Sequence, residues 1–194
     1  MKKKIGLFGG SFNPIHNAHV DKVKDALSSG LIDEVWIIPC RKHAFDKELL
    51  DSELRIDMIN LSFEGVSNVK VCREEVDFEG MSYALDTVRR LKSKFDHDFV
   101  WLGGSDLLYD INKWYHYKDF FDMVEFIIFE RKGYPIIEVD GMKILGILKD
   151  NMSGFSSSEV RLRCLEGESI SNMVDPKVRK YILDKNLYKK VYLA

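Results

Sequence analysis

Two histidines follow a glycine-rich turn near the start of the chain. His16 and His19 are three residues apart, so on a helix they lie on the same side of one turn. Gly9 and Gly10 precede them and allow a tight turn, whose backbone N–H groups stabilise an anion together with the positive end of the following helix dipole. Imidazoles beside such a turn can donate hydrogen bonds to phosphoryl oxygens as negative charge gathers there. The stretch therefore predicts a phosphate site.

Two other interpretations of this stretch compete with phosphate binding. A His-x-x-His pair can bind zinc, but a third ligand is needed and no cysteine cluster offers one. The two side chains could also be structural. The glycines at positions 6, 9 and 10 do not fit GxGxxG, and no GxxxxGK[ST] loop occurs, which argues against two large nucleotide-binding classes. The glycine turn in front of the histidines favours phosphate.

A strand, a turn and a helix must position these side chains. Residues 3–8 are apolar enough for a buried strand, and apolar residues recur at helical spacing between residues 17 and 28. A second strand is predicted at 34–38, so strand, helix and strand form a right-handed crossover with parallel strands. Further strands are predicted at 69–71, 99–102 and 124–129, with one or two more within 136–148. The predicted class is α/β, as one domain over residues 1–194.

Helices are predicted between these strands. One begins at residue 51 or 52 with Leu54, Met58 and Leu61 on its inner side, and another runs from 81 to 91. Shorter helices are predicted at 117–123 and after Ser156. Asp175 and Pro176 begin the last one, because an aspartate cap followed by proline favours a helix start.

Composition limits the environment and partners of the chain. Of 194 residues, 45% are hydrophobic, and 29 basic against 31 acidic residues give a net charge of −2. This balance predicts a globular protein with no nucleic-acid or membrane partner. Three cysteines in no CxxC pattern predict reduced thiols, and no apolar leader or spanning segment is visible, so a cytoplasmic location is expected.

Residues 9–19, GGSFNPIHNAH, resemble the signature GGTFDPxHxGH of a branch of nucleotidyltransferases that includes nicotinate mononucleotide adenylyltransferase. The resemblance implies a Rossmann-like, doubly wound parallel sheet with helices on both faces and a short helical part at the carboxyl end. Ala18 stands where the signature has glycine, and its methyl could crowd the nucleotide or shift the helix slightly. The resemblance implies ATP contacts from Gly9, Gly10, Ser11, Phe12, His16 and His19, and mononucleotide contacts from Ser11 and Asn13.

A serine-rich segment near residue 156 is the second anchor. Ser156 and Glu159 fit an S-x-x-E capping box, so a well-started helix is the local interpretation. A helix start with free N–H groups and Arg161 one turn in also suits a polyphosphate. The segment resembles the family motif I-S-S/A-T-x-x-R, which implies that Arg161 is catalytic together with His16 and His19. The implied ATP contacts are Phe155, Ser156, Ser157, Ser158 and Arg161.

Five further residues carry the resemblance through the middle of the chain. Gly103 and Asp106 follow a predicted strand, where Asp106 either caps the next helix or accepts hydrogen bonds from ribose. Trp114 and Tyr115 match a Trp-Tyr pair of the family, which implies that Trp114 stacks on a pyridine ring. Arg131 follows the fifth strand and is either an ATP phosphate contact or a surface charge.

Four residues complete the implied mononucleotide site. Lys42 and His43 lie in a basic loop after the second strand, where phosphate binding and a solvated loop are evenly matched. Tyr83 and Thr87 belong to a segment that resembles the family's Ser-Tyr-Thr-x-Asp-Thr element, with Ala84 in place of a threonine.

The resemblance implies transfer of an adenylyl group from ATP to nicotinate mononucleotide, giving nicotinate adenine dinucleotide and pyrophosphate for NAD biosynthesis. Mg²⁺ is expected to accompany ATP, and the sequence shows no metal site of its own. The alternatives are nicotinamide mononucleotide as preferred substrate, a pantetheine-phosphate adenylyltransferase, and a non-catalytic nucleotide sensor of the same fold. The sequence leaves a homo-oligomer open.

Overall fold

The computed structural model describes residues 1–41, 49–81, 83–149 and 154–189. Its centre is a six-stranded sheet in the order β3-β2-β1-β4-β5-β6, in which all neighbouring strands are parallel. β2 and β3 are added on one side of β1, and β4, β5 and β6 on the other. The sheet is therefore doubly wound, as predicted. The strands are β1 (Lys4–Gly10), β2 (Glu34–Pro39), β3 (Val69–Val71), β4 (Asp98–Gly104), β5 (Glu125–Glu130) and β6 (Ile144–Lys149).

The helices begin at residues that can cap them. Asp51 accepts a hydrogen bond from the N–H of Glu53 at 2.9 Å, and Asp175 accepts one from Lys177 at 2.7 Å. Each satisfies an N–H group that has no partner within its helix. The helices are α1 (Asn17–Ser28), α2 (Ser52–Ser62), α3 (Ala84–Lys94), α4 (Leu107–Asp110), α5 (Tyr117–Met123), α6 (Ser157–Glu166) and α7 (Pro176–Asp184).

Two apolar cores cover the two faces of the sheet. Successive residues of a strand point to opposite faces, and Leu7 and Phe8 of β1 accordingly belong to different cores. The core on the Phe8 side is closed by α1, α2, α6 and α7, and the core on the Leu7 side by α3, α4 and α5. Among the described residues, no helix has the length and apolar character needed to cross a membrane.

The sheet brings the opening turn to its topological switch point. β1 pairs with β2 on one side and with β4 on the other, and open α/β sheets bind ligands beyond the carboxyl ends of strands at such a point. Gly9 permits a close approach here, because a Cβ at this position would lie 3.1 Å from the indole of Trp101. The opening turn, where the sequence predicts a phosphate site, therefore lies at the edge where such sheets bind ligands.

Candidate active site

The opening turn and the start of α6 come from opposite ends of the chain and meet in the structure. Ser157 Oγ donates a hydrogen bond to the carbonyl oxygen of Pro14 at 2.9 Å, and Arg161 Nη1 donates one to the carbonyl oxygen of Asn13 at 2.8 Å. Arg161 Nη2 also reaches Ser158 Oγ at 3.1 Å. The two motifs therefore line one site.

Side chains hold the carbonyl groups of the opening turn. In addition to Asn13 and Pro14, the carbonyl oxygen of Ser11 accepts a hydrogen bond from Arg55 Nη1 at 2.7 Å. Phe12 has φ of 44°, in the left-handed region, while its ring is buried. Within the described part of the chain, the N–H groups of Ser11 and Phe12 have no protein acceptor. The turn thus offers donors to an anion while its acceptors are occupied.

The start of α6 contributes donors in the same way. Ser156 Oγ accepts a hydrogen bond from the N–H of Glu159 at 3.2 Å, so the capping interpretation of this serine is correct locally. The N–H groups of Ser157 and Ser158 have no acceptor among the residues described by the structure. They belong to the first turn of a helix, where N–H groups favour an anion. Phe155 packs against the apolar core beneath this helix start.

The two histidines are stacked at the start of α1. Their ring centroids are 3.8 Å apart with an interplanar angle of 33°. The backbone N–H of His16 donates to Nδ1 of His19 at 3.3 Å. Because Nδ1 accepts, the proton of neutral His19 lies on Nε2. His19 is thereby prepared to donate a hydrogen bond from Nε2 to a phosphoryl oxygen.

Burial keeps both imidazoles neutral. It lowers the pKa of His16 from 6.5 to about 4, with a smaller contribution from the positive charge of Lys22. Burial also holds the pKa of His19 well below its ordinary value, assisted by His16 and Lys22. Among the described residues, His16 Nδ1 is buried and lacks a hydrogen-bond partner. An imidazole nitrogen in this position is available to hydrogen-bond a ligand at the site.

Asp106 and Arg131 form an ion pair at the ends of β4 and β5. Arg131 Nη1 lies 2.7 Å from Asp106 Oδ2, and both side chains are partly exposed. The Asp106 side chain does not cap α4, so the capping interpretation is wrong for this residue. Gly103 ends the buried part of β4. Asp106 and Arg131, both predicted to contact ATP, therefore lie side by side and form an ion pair with each other.

Aromatic side chains connect the opening turn to the predicted pyridine site. The indole of Trp101, which lies against Gly9, meets Trp114 edge to face with centroids 5.9 Å apart. Tyr115 is exposed and stacks on Tyr83 with centroids 4.4 Å apart. The structure thus brings Tyr83, Trp114 and Tyr115 to one side of the sheet's carboxyl edge. Trp101 itself was not predicted, because its position within a buried strand gave no sign of a role at the site.

Thr87 has a different partner from the one that the resemblance implies. Its side chain is fully buried, and its hydroxyl donates to Glu75 Oε1 at 3.0 Å. Burial raises the pKa of this Glu75 carboxyl. A mononucleotide contact of Thr87 stays a prediction. Two other predicted contacts, Lys42 and His43, lie outside the described residues.

The sequence did not reveal Arg55, which the structure places behind the opening turn. The side chain is fully buried in α2 and donates hydrogen bonds to three carbonyl oxygens. The available signal was its spacing, since Arg55 lies three and four residues before the buried Met58 and Ile59. A charged residue on the buried face of a helix needs a specific partner.

A cavity of about 600 Å³ lies away from these motifs, between the edge strand β3 and α3. Its cationic side chains are already paired, Arg90 and Lys94 with Glu74 and Lys70 with Glu34. The candidate active site is instead the crevice at the carboxyl ends of β1 and β4, where the unpaired donors converge. Among the described residues, no group of three or more His, Cys, Asp or Glu side chains could hold a metal ion.

The family model described as cytidylyltransferase-like matches residues 7–163, which includes both anchors of this site. The chain belongs to the cytidylyltransferase-like family. Among curated proteins of similar sequence, a probable nicotinate-nucleotide adenylyltransferase of Bacillus pumilus is 32% identical, covering 96% of this chain and 98% of that protein. The nicotinate-nucleotide adenylyltransferase of Bacillus subtilis is 29% identical with the same coverage.

Solved structures agree with this family assignment. Nicotinic acid mononucleotide adenylyltransferase of Plasmodium falciparum, complexed with NaAD, superposes with a TM-score of 0.81 and 26% identity, covering 96% of this chain and 97% of that one. The same Plasmodium falciparum protein complexed with APC has a TM-score of 0.80. The nucleotidyltransferase family and the doubly wound fold predicted from the sequence are confirmed.

Proposed function

We propose that this protein is a nicotinate-nucleotide adenylyltransferase, which joins nicotinate mononucleotide and ATP to give nicotinate adenine dinucleotide and pyrophosphate. The observation that carries the proposal is the convergence of the opening turn and the α6 start, held together by the Ser157 to Pro14 and Arg161 to Asn13 hydrogen bonds. The curated relatives with that name cover almost the whole chain at about 30% identity.

The reaction is an in-line displacement at phosphorus. An oxygen of the mononucleotide 5′-phosphate forms a bond to the α-phosphorus of ATP, while the bond from that phosphorus to pyrophosphate breaks. The attacking phosphate is ionised at neutral pH, so no general base is required. Catalysis then comes from positioning and from stabilisation of charge in the transition state. Neutral His19 supplies a donor at Nε2, and His16 lies against it in the same pocket.

The triphosphate is placed between the two anchors. The N–H groups of Ser11 and Phe12 face it from the turn, and α6 presents its free N–H groups and Arg161 to the β and γ phosphates. Mg²⁺ accompanies the ATP and binds phosphate oxygens, the ligands that this hard cation prefers. Asp106 accepts hydrogen bonds from ribose and Arg131 contacts phosphate, and the 2.7 Å ion pair between them leaves further oxygen and N–H atoms of both side chains for these contacts.

The mononucleotide occupies the aromatic side of the crevice. Trp114 stacks on its pyridine ring, with Tyr83 and Tyr115 beside it. Nicotinate is the preferred substituent in this proposal, because the relatives named above carry that substrate in their names. The free thiols of Cys40, Cys72 and Cys164 suit a reducing compartment, and we place the enzyme in the cytoplasm.

The test compares three acceptors with ATP and Mg²⁺: nicotinate mononucleotide, nicotinamide mononucleotide and phosphopantetheine. We expect the highest kcat/KM with the first, with pyrophosphate and dinucleotide formed in equal amounts. His19→Ala removes the phosphoryl donor and should lower kcat about 10²–10³-fold. His97→Ala, a histidine beyond the opposite end of the sheet, is the matched control and should leave kcat unchanged. Turnover of none of the three acceptors, or full activity in a folded His19→Ala protein, would contradict the proposal.

A further inference from the structure

Arg55 joins three separate backbone segments. Its Nη1 donates to the carbonyl oxygen of Ser11 at 2.7 Å, Nη2 to that of Cys40 at 2.8 Å, and Nε to that of Leu50 at 2.9 Å. A guanidinium is suited to this task because its five N–H donors lie in a rigid plane. One side chain thereby fixes the opening turn, the end of β2 and the approach to α2 relative to one another.

The charge of Arg55 is unusual for a purely structural link. The side chain is fully buried, and its hydrogen-bond partners among the described residues are three neutral carbonyl oxygens. Asp51 favours the charged state from farther away but directs a carboxylate oxygen to the N–H of Glu53. A buried charge with no opposite charge beside it is costly. The positive charge of Arg55 therefore favours a polyanion bound on the other side of the turn that Arg55 supports.

We propose that Arg55 is a positioning residue of the triphosphate site, an inference that rests on the proposed adenylyl transfer. The carbonyl of Ser11 and the N–H of Phe12 belong to one planar peptide group, in which they point in opposite directions. By holding the Ser11 oxygen from behind, Arg55 directs the Phe12 N–H away from itself and into the crevice.

The conformation of Phe12 gives this support a reason. Its φ of 44° is unfavourable for a residue with a side chain and persists only where the surroundings enforce it. Burial of the Phe12 ring fixes the residue on one side and the Arg55 hydrogen bond fixes the preceding carbonyl. The N–H of Cys40 also donates to the carbonyl of Gly10 at 3.0 Å, so the end of β2 and the turn are held together twice. Loss of the guanidinium would free the turn without removing any group that touches substrate.

Three variants separate positioning from general stability. Arg55→Met removes the donors and the charge while keeping the length of the side chain. Arg55→Lys keeps the charge, but an ammonium group cannot hold three carbonyls in one plane. Met58→Ala is the matched control, since Met58 is fully buried in the same helix and its side chain has no N–H group that could hold the carbonyls of the turn. Each is measured at the same interval below its own Tm.

In Arg55→Met we expect kcat to fall at least tenfold, since small misplacements of binding groups have large effects on rate, with a smaller fall in Arg55→Lys. Met58→Ala should lower Tm and keep kcat within twofold. If the loss of kcat were proportional to the loss of Tm in all three variants, including Met58→Ala, the proposal would be overturned.

A binding measurement makes the test independent of turnover. Calorimetry with a non-hydrolysable ATP analogue should show at least fivefold weaker binding to Arg55→Met, and an unchanged affinity for Met58→Ala. If the wild type forms no dinucleotide but the analogue affinity still depends on Arg55, the proposed function fails and the positioning role stands. If Arg55→Met does not fold, wild-type affinity and kcat in Arg55→Lys would overturn the positioning role.

Discussion

Acid should weaken this protein through the buried histidine at its site. The pKa of His16 is about 4 in the folded chain and 6.5 for an unperturbed imidazole. Between pH 6.5 and pH 4, His16 therefore binds a proton in the unfolded chain but not in the folded chain. The free energy of unfolding falls as the pH drops from about 6.5 towards 4 and levels off below that.

The size of this effect follows from the pKa difference. Each unit of pKa shift corresponds to about 1.4 kcal/mol. For the pKa values of His16, the linkage relation gives a loss of about 2 kcal/mol between pH 7 and pH 5 from this residue alone. The pKa of His19 is shifted in the same direction, so its contribution has the same sign. A loss of this size is a substantial part of the stability of a typical domain.

Urea unfolding of the wild type and of His16→Asn at pH 7 and pH 5 measures the effect. His16 is the N-cap residue of α1. Asparagine is favourable at this position and does not titrate. We expect the pH-dependent loss of unfolding free energy to be about 2 kcal/mol smaller in the variant. Equal losses in the two proteins would show that His16 titrates normally in the folded chain and would refute the burial argument.

Two further predictions concern the edges of the site. Tyr188→Phe removes a hydroxyl that donates to the buried Asn13 Oδ1 at 2.8 Å and should lower the free energy of unfolding by about 1–2 kcal/mol in urea titrations; an unchanged midpoint would show that this hydrogen bond does not secure the turn. Trp114→Leu keeps an apolar contact with Trp101 but removes the flat ring, so KM for the mononucleotide should rise about 3- to 10-fold while KM for ATP stays within twofold. An equal rise in both values in initial-rate assays would count against the pyridine assignment.

Much of the fold could be predicted because its signals are local. Leu85, Val88 and Leu91 recur at helical spacing and are all buried in α3. The predicted inner side of α2 was less accurate, since Leu54 and Leu61 are only partly buried and Ile56 and Ile59 lie in the core. Apolar residues on several sides of that helix made its buried face ambiguous. The stretch 136–148 is predicted as one or two strands. In the structure its last five residues belong to β6 (Ile144–Lys149), and residues 136–143 belong to no strand.

The site was less predictable because its geometry depends on distant contacts. The histidines and the serine-rich helix start were visible as motifs, but their convergence depends on hydrogen bonds such as Ser157 to Pro14, which join opposite ends of the chain. Arg55 was missed because spacing alone cannot show which carbonyls a long side chain will reach. Asp106 gave a local capping signal that the structure does not use, since its carboxylate pairs with Arg131.

The position of Ala18 bears on whether the site is catalytic. The family signature has glycine there, and a methyl group that crowds the nucleotide would favour a sensor without activity. In the structure Ala18 is only 7% exposed, so little of its methyl group is available to meet a nucleotide. Several features near the site are costly by themselves: the strained φ of Phe12, the buried imidazole of His16 and the buried guanidinium of Arg55. Features of this kind concentrate at functional sites, and the proposed adenylyl transfer gives each of them a role.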